Sequence, residues 1–283
     1  GENIHDLEYN QGLDDAYANM PNIPGGEAWP ERWARDAAGF RQAIAADGRM
    51  EAGIAYGPGE RNTFDLFMPR GRPRGLFVFV HGGYWMRFDP SFFSHFAAGP
   101  LARGLAVAMP RYSLCPQVRV GDITAEIGRA IAAVAARVDG PVMLAGHSAG
   151  GHLVARMVSR TTPLPAPLLE RVHTTVSISG VHDLRPLLRL QLNETFRLDH
   201  AEATAESPAL LEPAGAGRLI CWAGAGERSE FVRQNALLAN IWRGLGLVTA
   251  CVEEPDRHHF NVIDGLREPD SPLTRAALDG LVR

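Results

Sequence analysis

Apolar positions along this chain follow two spacings. Between residues 29 and 47, Trp33, Ala37, Phe40 and Ile44 recur every three to four residues and share one face. That period predicts a helix from near Pro30 to near Asp47, with Pro30 suited to the first turn. Ile123, Ile127, Ile131, Val134 and Val138 form a second helical stripe, with Asp122 as its expected N-cap. Between and after these stripes lie short strand-like stretches at 63–68, 76–80, 105–109, 141–145, 174–179, 218–222 and 247–252, continuously apolar at 76–80 and 105–109. Stretches of that length read as strands, and 141–145, bounded by Gly-Pro, as a buried one. Strands alternating with helices predict a mainly parallel sheet covered on both sides, an architecture that binds ligands beyond the carboxyl ends of its strands.

Ahead of residue 26 the pattern is weak. Tyr9 and Tyr17 stand among turn residues, compatible with an arm over a pocket or with a flexible lead-in. The expected organisation is an N-terminal arm and cap helix over residues 1–50, packed on an α/β domain over residues 51–283. No internal repeat or low-complexity tract interrupts it.

Composition narrows the class. A length of 283 residues suits one large α/β domain with a small cap, and 46% hydrophobic with 21% charged residues is ordinary globular chemistry. A net charge of −4 without a basic cluster argues against a nucleic-acid partner. No apolar run reaches the length of a membrane span, and the first residues lack a charged-then-apolar leader pattern, so no membrane partner is expected. Cys115, Cys221 and Cys251 are odd in number and contain no Cys-x-x-Cys pair, which reads as reduced, mostly buried thiols and a cytoplasmic location. A homodimer is compatible with the sequence, which does not set the oligomeric state.

Candidate chemistry begins at Gly146-His147-Ser148-Ala149-Gly150. The apolar run before it and the helical spacing of Leu153, Val154, Met157 and Val158 after it give strand, sharp turn, helix. That is the context of a nucleophile elbow, in which glycines leave room for a strained serine. A second motif, His81-Gly82-Gly83-Tyr84-Trp85, follows the run at 76–80. A His-Gly-Gly loop there supplies backbone N–H groups to an oxyanion hole, with Gly83, Tyr84 and Ala149 as the expected donors. Both motifs in this order predict an α/β-hydrolase fold.

A serine hydroxyl needs a base and an orienting acid, which follow it in chain order in this fold. Of the later histidines, His152 lies one turn along the elbow's own helix, and His173 and His182 flank the following strand. His258 and His259 come after the last strand, and His259 is favoured because Phe260, Val262 and Ile263 would pack the segment that carries it. Glu227 is the first carboxylate after the run at 218–222; Glu230 and Asp256 are the alternatives.

Taken together, these residues resemble the arylformamidase (kynurenine formamidase)-like branch of the α/β-hydrolases, near the hormone-sensitive-lipase type of esterases. The resemblance runs from about Trp29 and includes His81 to Trp85, Pro110-Arg111-Tyr112-Ser113-Leu114-Cys115-Pro116, and Gly146 to His152. It extends to Glu227 with Glu230-Phe231 and Arg233-Gln234, and to His259-Phe260, and implies Ser148, Glu227 and His259 as the triad. Many relatives carry Asp where Glu227 stands. The implied activity is hydrolysis of a small formamide or carboxylic ester through an acyl-enzyme, with no metal or organic cofactor; a short-chain esterase or thioesterase, or a non-catalytic ligand-binding relative, are the rival readings. His81, Gly82, Trp85 and Phe88 are expected in the substrate pocket, with Tyr84, Trp85 and Phe88 as an aromatic shelf. The remaining walls are expected from the N-terminal arm and from residues 87–96 and 182–198.

Overall fold

The computed structural model describes residues 12–280; Tyr9 lies outside them. Its centre is an eight-stranded sheet in the order β1-β2-β4-β3-β5-β6-β7-β8. The strands are β1 (Met50–Ala55), β2 (Thr63–Phe67), β3 (Leu76–Val80), β4 (Ala106–Pro110), β5 (Val142–His147), β6 (Val172–Ile178), β7 (Arg218–Gly224) and β8 (Thr249–Glu254). From β4 through β8 neighbours pair in parallel, while β2 runs antiparallel to both β1 and β4.

Strand periodicity splits the core into two layers. In β3, Leu76, Val78 and Val80 join the apolar cluster on one face, and Phe77 and Phe79 join the cluster on the other. The first cluster takes α2 (Val120–Ala135), α3 (Ala149–Met157) and α4 (Ser229–Gly244); the second takes α1 (Trp29–Ala46) and α5 (Pro272–Leu278). Burying a side chain of this size contributes about 1.5–3 kcal/mol, so five wholly apolar positions commit β3 to the centre of the sheet.

The helical stripes behave as their spacing predicts at Trp33, Ala37 and Ile44 and at Ile123, Ile127, Ile131 and Val134, all buried. Asp122 corrects an expectation. The helix begins at Val120, and the Asp122 carboxylate reaches back from its first turn to accept the Arg119 N–H at 2.8 Å. Strand β1 is absent from the sequence-based expectation because it is an exposed edge with no apolar alternation, irregular between Glu51 and Ile54 where Gly53 takes φ +69°. Asp65, buried in β2, accepts the Gly53 N–H at 2.9 Å and pairs with Arg41 of α1 at 2.8 Å, tying helix and edge to the sheet. Cys115 and Cys221 are buried free thiols, and Cys251 is exposed.

Among the described residues no helix is long and apolar enough to cross a membrane.

Candidate active site

The carboxyl ends of β3, β5, β7 and β8 feed the loops that carry the predicted residues. At the end of β5 the chain turns sharply into α3 through Ser148, which takes φ +58° and ψ −116°. Only a tight surround holds a non-glycine residue there. The flanking positions explain the glycines: a Cβ on Gly146 would stand 2.0 Å from the Gly150 carbonyl oxygen, and one on Gly150 1.9 Å from that of Val80. The Ser148 N–H is anchored on the Ile178 carbonyl of β6 at 2.8 Å.

His259 lies on the loop after β8. Its Nε2 is 3.0 Å from Ser148 Oγ and its Nδ1 is 2.5 Å from Glu227 Oε1. Ser148 and His259 are buried, and the Glu227 side chain is wholly so. The second oxygen of Glu227 accepts from Ser179 Oγ at 2.5 Å and from the Gly224 N–H at 2.6 Å. Three donors thus converge on one carboxylate and fix its orientation.

Neither alternative acid meets His259. Glu230 accepts the Tyr17 hydroxyl at 2.7 Å and pairs with Arg233 at 2.7 Å, and Asp256 is exposed. His258 faces elsewhere, its Nδ1 accepting the N–H groups of Phe260 and Asn261 while its ring meets Trp29 edge-on.

The loop after β3 lies directly against the elbow. A Cβ on Gly82 would stand 2.7 Å from the His147 carbonyl oxygen and 3.0 Å from Ser148 Cβ, and one on Gly83, at φ +112°, would strike Arg87 and Phe88. Among the described residues no acceptor takes the N–H of Gly83, Tyr84 or Ala149. The stretch 110–116 braces this loop: Tyr112 Oη donates to the His81 carbonyl at 2.7 Å, and the Cys115 N–H to that of Trp85 at 2.7 Å.

A cavity of about 210 Å³ opens onto Ser148 and His259. Tyr84, Phe88, Trp33, Phe93 and Phe260 give it aromatic walls; Asn19, Met20 and Pro21 cover it from the N-terminal segment, and Leu192 closes another side. Gly82 and Phe88 line it as expected positions, but His81 and Trp85 do not. His81 is sandwiched behind the wall, 4.4 Å from the Tyr112 ring and 5.7 Å from that of Phe93. Burial lowers its pKa to about 4, leaving a neutral ring whose Nδ1–H donates to the Gly82 carbonyl. Trp85 is fully buried against His152 and Phe196. Aromatic size suggested a wall, whereas Tyr84 lines the cavity and Trp85 packs wholly inside.

Several site residues escaped the sequence reading. Ser179 and Gly224 belong to separate strand ends. His147 Nε2–H donates to the His259 carbonyl at 2.7 Å, and burial holds its pKa well below the usual imidazole value. Trp33 carries a helical signal indistinguishable from plain core, yet it lines the cavity and its buried indole N–H has no partner among the described residues. His147 and Trp33 meet at the cavity, and Ser179 and Gly224 meet at the Glu227 carboxylate behind it.

Comparison with known proteins identifies the same fold. A family model described as the alpha/beta hydrolase fold matches residues 77–253, more than half of the chain. Kynurenine formamidase of Salmo salar is 27% identical over 240 residues, 80% of either chain, and that of Drosophila melanogaster 29% over 237 residues, 78% of either chain. Among solved structures, a candidate thioesterase from Silicibacter sp. is 47% identical with a TM-score of 0.89, covering 94% of this chain and 98% of that one. Esterase B from Lactobacillus rhamnosis shares the fold with a TM-score of 0.65 at 19% identity, covering 96% and 93%. The chain therefore belongs to the α/β-hydrolase family and is similar to its kynurenine formamidase branch.

Proposed function

We propose that this hydrolase uses Ser148 as nucleophile, His259 as general base and acid, and Glu227 as the group that orients His259, and that it cleaves a small formamide of the N-formylkynurenine type or a small carboxylic ester. The observation that carries the reading is the unbroken hydrogen-bonded chain from Glu227 through His259 to Ser148, opening on a small aromatic-walled cavity. His259 Nε2 takes the hydroxyl proton as Ser148 Oγ attacks the carbonyl carbon. The resulting oxyanion rests on N–H groups of Gly83, Tyr84 and Ala149, where loss of one donor typically costs about 10²–10³ in kcat. Collapse breaks the C–N or C–O bond, and the leaving group departs with the proton from His259. Water, deprotonated by the same imidazole, then attacks the acyl-enzyme and releases the acid with Ser148 restored.

Size supports a small acyl group: about 210 Å³ lies below the roughly 300–1,000 Å³ of ordinary small-molecule sites. The kynurenine formamidases, similar over most of the chain, favour the formamide. One observation favours a second reading, hydrolysis of a short-chain thioester, because the Silicibacter relative carries a thioesterase name.

The test compares kcat/KM on N-formylkynurenine, on p-nitrophenyl esters from acetate to octanoate, and on acetyl- and butyryl-CoA, with Ser148→Ala as control. Formamide cleavage dominating both ester classes is the expected result. Dominant thioester turnover would transfer the assignment to the second reading, and Ser148-independent turnover would remove the mechanism.

A further inference from the structure

His152 stands one turn beyond Ser148 on α3, fully buried, outside the Ser148–His259–Glu227 chain. Its ring bridges two segments distant in sequence. Nδ1 lies 3.2 Å from the Trp85 indole nitrogen, and Nε2 lies 2.8 Å from the Glu206 carbonyl oxygen. An indole N–H only donates and a carbonyl only accepts, so the lone pair must sit on Nδ1 and the proton on Nε2. Burial lowers the pKa of His152 to about 3, which keeps this neutral tautomer throughout the neutral range. Glu206 is itself fixed to the same helix: its carboxylate pairs with Arg156, one turn past His152, at 3.1 Å, and also accepts the Thr124 hydroxyl.

At the other end of the bridge, Trp85 closes a run of three positive φ values: +112° at Gly83, +49° at Tyr84 and +57° at Trp85. Glycine takes such a conformation freely, but a bulky side chain there costs about 1–3 kcal/mol and persists only where its surroundings hold it. The Trp85 carbonyl is held by Cys115 and the Tyr84 hydroxyl by the Tyr17 carbonyl. The Trp85 side chain has one polar anchor, His152.

We infer that His152 is a positioning residue: gripping Trp85 from the helix that directly follows Ser148, it fixes the N–H groups of Gly83 and Tyr84 relative to the attacking oxygen. The inference rests on the serine mechanism proposed above. Its energetic logic is preorganisation. Donors that drift by a fraction of an ångström stabilise a developing oxyanion less, while binding the uncharged substrate almost as well.

The test is a pair of substitutions. His152→Leu keeps the volume and loses both hydrogen bonds; His152→Gln offers an amide oxygen to Trp85 and an amide N–H to Glu206. In the leucine variant kcat should fall about 10- to 100-fold with KM within about threefold. Affinity for a trifluoromethyl ketone, whose adduct on Ser148 carries the oxyanion, should weaken by the same factor. The glutamine variant should recover most of both. Trp85→Phe, which keeps an aromatic ring and drops the N–H, should shift kcat the same way, and the double variant with His152→Leu should be no worse than the leucine variant alone. If His152→Leu does not fold, the test passes to Trp85→Phe and His152→Gln. Wild-type kcat in folded His152→Leu or in Trp85→Phe, or equal losses in the leucine and glutamine variants, would overturn the inference. Activity surviving Ser148→Ala would instead defeat the mechanism beneath it, so the two failures are distinguishable.

Discussion

Ser148 and His259 sit 111 positions apart in the chain, and each is presented by a backbone that has little freedom. Ser148 is pinned in its strained turn by neighbours that admit no side chain at Gly146 or Gly150. His259 is clamped between the rings of His147 at 4.8 Å and Phe231 at 4.5 Å. Under the proposed mechanism Ser148→Ala and His259→Ala should each lower kcat about 10⁴-fold or more, while His258→Ala should cost no more than about tenfold. Steady-state kinetics on the best substrate checks the ranking, and a reversed order at 258 and 259 would contradict the assigned base. Glu227→Gln is the sharper variant. Ser179 and Gly224 both donate to Oε2, so the amide oxygen belongs there and the amide N–H₂ confronts the Nδ1–H of His259. The imidazole must lose that bond or change tautomer, and kcat should fall about 10²- to 10⁴-fold with the fold retained.

At the scale of elements, the N-terminal segment acts as a strap across the site. Tyr17 is fully buried; its hydroxyl donates to Glu230 and accepts from Gln234 at 3.1 Å, and its carbonyl takes the Tyr84 hydroxyl. Asp15 adds an ion pair with Arg228 at 2.6 Å, beside Glu227. The strap therefore joins the glycine loop to the acid loop while Asn19, Met20 and Pro21 cover the cavity. Tyr17→Phe removes the hydroxyl and leaves Glu230 and Gln234 each short of a partner. A loss of about 1–2 kcal/mol in stability is expected, read by chemical denaturation. KM should rise by a larger factor than kcat falls, because the strap supplies wall more than chemistry. The reverse split would place Tyr17 in the chemical step.

Among the described residues most histidines of the molecule are buried. His81 has its pKa lowered to about 4, and His152 and His182 to about 3, all by burial. Between those values and the ordinary 6.5 the unfolded chain binds more protons than the folded one. Their contribution to stability is therefore complete above about pH 6.5 and is lost as pH falls toward the folded values. The urea midpoint should decline steadily from pH 7 to pH 4.5. A flat midpoint across that range would mean that these imidazoles take up protons as freely folded as unfolded.

Sequence by itself determined what is local and periodic. Five continuous apolar residues make β3, a three-to-four spacing makes α1, and glycines around one serine make the elbow, because each signal reflects a neighbour a few residues away. Glu227 and His259 were legible for a related reason: both follow strands whose ends the topology gathers at one edge. Strand β1 was not legible, since an exposed edge strand buries nothing that would impose a pattern. Tertiary structure alone decided which side chains wall the cavity. Trp33, read as core, lines it; Trp85 and His81, read as wall, lie behind it; Asn19 arrives from a segment without periodicity. The same holds for the contact of Ser179 with the second oxygen of Glu227, 48 positions away, and for the bridge through His152, whose partners Trp85 and Glu206 lie 67 and 54 positions from it. Burial sets a side chain's spacing in sequence, but a meeting of side chains across loops depends on how the twisted sheet brings its strand ends together, and that is written in no single segment.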